Sequence, residues 1–181
     1  GMEIVVSTTL GVATARGEKL FRIGGFIDRL DAVAANGNPS AGGNLAERIR
    51  VIDYKTGRAQ ATHPKDIDEV FGTTPQAMNK HSDYYLQAIL YSLIIKNDRR
   101  FNPAQEPVSP GLLFIQNAGS EDYDSTLKLG KELLTDVAPL EAEFTEHLRS
   151  LLADIYNPAV TLKPTEDKKR CIYCPYAALC K

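Results

Sequence analysis

Gly24-Gly25-Phe26-Ile27-Asp28-Arg29-Leu30-Asp31 and Val51-Ile52-Asp53-Tyr54-Lys55-Thr56-Gly57 each set acidic residues inside an apolar, β-prone run. An unpaired carboxylate is costly to bury, so acids in such runs need a partner. Side chains along a strand alternate between faces. Asp53 and Lys55 therefore point the same way as Ile49 and Val51, while Ile52 and Tyr54 point to the opposite face. An Asp near the end of an apolar strand, a Lys two residues on and an Asp from the preceding strand form a compact site for a hard divalent cation, Mg²⁺ or Mn²⁺. The lysine can orient a water or neutralise charge on a phosphate. Blander readings compete: a local ion pair of Asp28, Arg29 and Asp31 at a strand end, and a same-face salt bridge between Asp53 and Lys55. Alternation puts Asp28 and Asp31 on opposite faces, so both line one site only if the strand bulges or ends between them. Asp28 is the expected metal ligand and Asp31 the structural residue. Thr56-Gly57 reads as a turn closing the strand, with a glycine that lets a phosphate approach the backbone.

Outward from these runs, Glu3 to Thr8 reads as a strand, Gly11 to Gly17 as a turn, and Leu20 to Val33 as a longer strand. Asn36 to Asn44 is rich in Gly, Asn, Ser and Pro and reads as a hairpin loop leading to a strand from Glu47 to Lys55. This predicts a three-stranded meander. Gly57 to Lys80 is polar, with a short helix expected near Pro64 to Val70. His81-Ser82-Asp83 opens the clearest helix, to Lys96, with Ser82 or Asp83 as N-cap. Its buried stripe is Leu86, Ile89, Leu90, Leu93 and Ile94. Gln87 and Tyr91, four apart, share a face beside it. A Pro-rich connection, Asn102 to Pro110, leads to a buried strand over Gly111 to Gln116. Asn117 to Asp124 is an acidic linker, and a second long helix runs from Ala138 or Leu140 to Tyr156. His81 and His147 read as solvated residues, and with His63 they are poor candidates for ligands. The order of elements predicts an α/β fold, a mixed β-sheet flanked by helices.

At 181 residues the chain is long enough for one domain with a sizeable core. No apolar run is long enough to cross a bilayer and no signal peptide is visible, so a soluble, cytoplasmic protein without membrane partners is expected. Gly1 before Met2 reads as a tag-removal scar. A net charge of −2 lends no support to a dedicated nucleic-acid binder, although Arg99-Arg100 and Lys168-Lys169-Arg170 are locally basic. The three cysteines, Cys171, Cys174 and Cys180, are spaced C-x₂-C-x₅-C in a tail over residues 158–181. An odd, bunched set argues against a disulfide framework and for metal ligation. Three thiolates leave a tetrahedral zinc or a cubane cluster one ligand short, and inert thiols are the plain alternative.

The chain resembles the PD-(D/E)XK nuclease superfamily, and within it the RecB/AddB-type exonuclease domains. Residues 25–31 match G-x-I-D-R-x-D, residues 53–57 match D-Y-K-[TS]-G, and Gln87 and Tyr91 match Q-x-x-x-Y on the following helix. The C-terminal cysteines close the series, and the resemblance spans residues 20 to 181 in the expected order. It implies a restriction-endonuclease-like core and metal-dependent DNA hydrolysis in repair and recombination. Asp28 and Asp53 would hold Mg²⁺ or Mn²⁺ together with the main-chain carbonyl of Tyr54. Lys55 would align a water, Gln87 would support substrate or lysine, and Tyr91 would pack or hydrogen-bond at the site. Cys171, Cys174 and Cys180 would hold a 4Fe–4S cluster with a fourth cysteine that this chain lacks. That gap, and the missing upstream Glu or His of the family, predict the C-terminal piece of a larger helicase–nuclease polypeptide, weakly active or inactive when isolated. Its partners would be DNA, the rest of the parent chain and a partner helicase–nuclease subunit. Two alternatives stand beside this: an inactive nuclease-like DNA-guiding module, and a stand-alone CRISPR-associated-type iron–sulfur nuclease.

Overall fold

A computed structural model describes residues 4–33, 47–57, 62–120, 123–161, 171–172 and 174–179. The expected loop over Asn36 to Asn44, the tag scar, Pro164, the basic Lys168 to Arg170 and Cys180 lie outside them. Two long strands open the fold, β1 (Ile4–Thr14) and β2 (Gly17–Ile27), paired antiparallel from Ile4 opposite Ile27 to Thr14 opposite Gly17. The hairpin turns at Ala15 and Arg16, with Gly17 at φ 96°, a left-handed value that glycine adopts without a Cβ penalty. The turn expected over Gly11 to Gly17 is present but confined to the end of that range. Val12 is instead a buried strand residue, and Gly11 itself stays in the ladder.

The predicted strand over Leu20 to Val33 is two strands. At Asp28 the backbone bends, and β3 (Arg29–Val33) begins a second sheet. There β3 pairs antiparallel with β4 (Arg48–Lys55), which in turn pairs parallel with β5 (Val108–Phe114). A parallel partner requires a crossover, and three helices supply it: α1 (Ile67–Val70), α2 (Pro75–Asn79) and α3 (Ser82–Asn97). Asp66 caps α1 by accepting from the Glu69 N–H at 2.9 Å. The sequence did not signal α2. Nor does Ser82 or Asp83 cap α3: His81 precedes the helix in the left-handed region, φ 56°, and the Ser82 hydroxyl donates to the Gly72 carbonyl.

Helix α3 lies on the face of the β3–β4–β5 sheet that carries Ile49 and Val51, and also touches β1 and β2. It is buried on more than one stripe. Ile89, Leu93 and Ile94 are buried as expected, Leu86 and Leu90 only partly, and Tyr85, Ala88, Tyr91 and Ile95 join the core. Removing Ile89 or Ile95 from water stabilises the fold by about 1.5–3 kcal/mol each. The connection from α3 to β5 is organised by buried Asn102, whose Nδ2 donates to the Glu106 carbonyl at 3.0 Å and whose Oδ1 accepts from the Glu106 N–H at 2.8 Å. Pro110 lies inside β5 rather than before it. A small hairpin, β6 (Lys128–Leu129) and β7 (Glu132–Leu133), leads through a 3₁₀ turn to α4 (Glu141–Ile155), which packs on β1 and α1. The result is the α/β architecture the sequence implied, a mixed sheet flanked by helices in a restriction-endonuclease-like core.

Candidate active site

Four of the sequence-predicted residues meet at one end of β4. Continuing the Arg29–Ile52 register by one places Asp28 opposite Asp53. The Asp28 carboxylate accepts from the Tyr54 backbone N–H at 2.7 Å. Its charge is close enough to Asp53 to push that carboxyl further above its ordinary range. Burial is the largest cause of the Asp53 shift, with Lys55 opposing it. The Lys55 Nζ lies 2.6 Å from Asp53 Oδ2 and donates to Gln87 Oε1 at 3.1 Å. Strand alternation thus aims Asp53 and Lys55 at α3, and α3 presents Gln87 to meet them.

The ammonium has a third neighbour. Its nitrogen sits over the Tyr84 ring, 4.2 Å from the centroid. Tyr84 stacks on His81 at 4.5 Å with 8° between the ring planes, and His81 lies 5.9 Å from the ring of Phe114. These residues, with Tyr54, Thr56 and Gly57, line a cleft of about 310 Å³ beside Lys55. His81 is therefore a half-buried wall of the cleft rather than a solvated end residue. Burial lowers its pKa, with Lys55 adding to the effect and Asp83 opposing it. The sequence reading missed both rings. Tyr84 stands three residues before Gln87, a spacing that shares a helical face, and that was the available signal.

The remaining candidates lie elsewhere. Tyr91 packs against β2, where a Cβ at Gly25 would overlap its hydroxyl. The Tyr54 side chain is exposed on the opposite face of β4, so only its backbone faces Asp28. Asp31 is buried between Arg29 at 2.6 Å and Arg50 at 3.0 Å, on the same face as Tyr54. Cys171 and Cys174 are free and half-buried, with the Cys174 N–H donating to the Cys171 carbonyl at 3.3 Å. His147 is paired rather than solvated, with Nε2 3.2 Å from Asp68 Oδ1 and its ring stacked on Phe71. His63 Nε2 hydrogen-bonds the Gly130 carbonyl.

The donor set at Asp28 and Asp53 fits a hard cation. Asp53 Oδ2 is buried and, although close to Lys55, has no aligned hydrogen-bond donor. Among the described residues no three His, Cys, Asp or Glu side chains converge. A cation here would have two carboxylates and draw its other ligands from backbone, water or substrate phosphate, as Mg²⁺ commonly does. No helix among the described residues is long and apolar enough to cross a membrane.

No curated protein and no solved structure matches the chain. The family model described as the PD-(D/E)XK nuclease superfamily matches residues 1–181, and nucleases of that superfamily typically use divalent metal ions. With that match covering the whole sequence, the chain belongs to the PD-(D/E)XK nuclease superfamily.

Proposed function

We propose that the chain is a Mg²⁺- or Mn²⁺-dependent deoxyribonuclease domain that hydrolyses phosphodiester bonds. We place it with the RecB/AddB-type exonuclease domains of larger helicase–nuclease proteins acting in DNA repair and recombination. The observation that carries the reading is the Lys55 ammonium held between Asp53 and Gln87, with the Asp28 carboxylate beside them. Asp28, Asp53 and the Tyr54 main-chain carbonyl would hold the cation, which when bound would supply Lewis-acid polarisation of the scissile phosphate. Lys55 directs its ammonium protons to the attacking water and to the phosphate oxygens. Gln87, which accepts from that ammonium, would keep it in place. Tyr91 acts at a distance, by fixing α3 against β2. In the longer parent, Cys171, Cys174 and Cys180 supply three thiolates to a 4Fe–4S cluster, with the fourth ligand from another segment. The order of the sequence motifs supports this subfamily and parentage.

The test is cleavage of labelled single- and double-stranded DNA with Mg²⁺, enzyme in excess so that weak turnover is read. In the longer parent, Asp53→Ala and Lys55→Ala should abolish cleavage and leave DNA binding largely intact. Unchanged cleavage by either variant removes the assignment. Cleavage by neither the variants nor the wild type of the longer parent, with binding retained, favours a DNA-guiding module.

A further inference from the structure

We propose that Tyr84, backed by His81, is a positioning residue that holds the Lys55 ammonium in the cleft through its ring face; this rests on the nuclease reading above. Among the described residues three groups contact the Lys55 nitrogen: Asp53 Oδ2 at 2.6 Å, Gln87 Oε1 at 3.1 Å and the Tyr84 ring at 4.2 Å from its centroid. Only the first carries charge, and it belongs to the carboxylate the cation also needs. Were that carboxylate shared with a cation, its pull on Lys55 would weaken. Gln87 and the Tyr84 ring would then keep the lysine from swinging on its four-carbon stem. An aromatic face suits this work because it attracts a cation without competing for its protons. Lys55 keeps those protons for water or phosphate.

The ring is itself held on several sides. Tyr84 sits in the first turn of α3, and its backbone N–H donates to the His81 carbonyl at 3.0 Å. The His81 ring lies nearly parallel to it, and Phe114 on β5, the register partner of Lys55, contacts both rings obliquely. His81 adopts φ 56°, uncommon for a side chain with a Cβ. Strain of that kind persists where the surroundings over-determine a conformation, and it concentrates at functional sites. The stack therefore ties the ring position to the β4–β5 register rather than leaving Tyr84 free to rotate away.

Two variants separate ring face from bulk and hydroxyl. Tyr84→Phe keeps the face and should cleave close to wild type. Tyr84→Leu keeps apolar bulk and should lose about tenfold in single-turnover rate at saturating enzyme, the size of one modest cation–π contact. Its half-saturating concentration and melting temperature should stay near wild type, which a general packing defect would not allow. By NMR, the Lys55 ε-methylene protons should be shifted upfield by the Tyr84 ring current in wild type and Tyr84→Phe, and lose that shift in Tyr84→Leu. The proposal is overturned if Tyr84→Leu cleaves like wild type or Tyr84→Phe falls as far as Tyr84→Leu. A cleaving wild type with no ring-current shift overturns the positioning role alone. A wild type that shows the shift but cleaves no DNA overturns the nuclease reading and this role with it.

Discussion

The Asp28 carboxylate accepts the Tyr54 backbone N–H at 2.7 Å, binding the bend between β2 and β3 to the end of β4. One side chain thus completes the backbone hydrogen bonding at the strand end and supplies a charge beside Asp53. Asp28→Asn retains an acceptor oxygen for the Tyr54 N–H but no charge. It should melt near wild type and lose cation-dependent cleavage. Asp28→Ala leaves that N–H without its partner and should cost a further 1–2 kcal/mol or so of stability. Denaturant titration of both variants, paired with cleavage assays, separates the two roles.

Cation binding should stabilise the fold by mass action. At a hundred times its dissociation constant, Mg²⁺ would add about 2.7 kcal/mol, read as a higher melting temperature. Asp53→Asn should remove the gain. Burial raises the Asp53 pKa, so the carboxylate takes up its proton at higher pH than an ordinary Asp. The gain should therefore fade earlier during acidification than it would at an exposed Asp. Melting curves with and without Mg²⁺ across an acid series check this.

Tyr91 and Gly25 form a second coupled pair. Gly25→Ala would set a methyl group against the Tyr91 hydroxyl and ring carbon, with a cost of about 1–3 kcal/mol for overpacking. Tyr91→Phe removes the hydroxyl and should recover part of that loss, while the ring carbon remains close. Gly24→Ala would meet the Val6 carbonyl and Ser7 backbone, which cannot rotate away, and should be the worse of the two glycine variants. A double-mutant cycle in urea measures the coupling.

Glu69 should contribute to acid stability away from the site. Its hydrogen bond from Lys80, then one from the Lys65 backbone N–H, lowers its pKa to about 2 from an ordinary 4.5. A depressed carboxyl pKa means that the unfolded chain binds the proton more readily. The contribution is present above about pH 4.5 and is lost as pH falls toward 2. Glu69→Gln should flatten that part of the curve, and salt should weaken the wild-type effect. Acid titration of the melting temperature at two ionic strengths checks both statements.

Much of the site was legible because strand alternation is a local rule. Asp53 and Lys55 share a face, and Asp31 faces away from them with Arg29 and Arg50, as period two requires. The same rule set Asp28 and Asp31 on opposite faces, and the register does place Asp28 opposite Asp53 while Asp31 lies with Arg50. What escaped was decided by tertiary contact. Whether the Tyr84 ring, backed by His81, meets Lys55 depends on how α3 docks across the sheet. Ser82 looked like a cap, but its hydroxyl donates to Gly72 while His81 takes the left-handed turn. Gly11 looked like the start of the turn that ends at Gly17, but its neighbour Val12 is drawn into the core and extends β1 to Thr14. Local propensity yielded in both places to burial.

Asp28 stands where the chain leaves the β1–β2 ribbon and enters the β3–β4–β5 sheet, so its carboxylate marks the seam between two separately bonded sheets. An ion gripped by Asp28 and Asp53 would work as a rivet across that seam. Loading it would restrain one sheet relative to the other, so metal content and the relative placement of the two sheets would be linked equilibria.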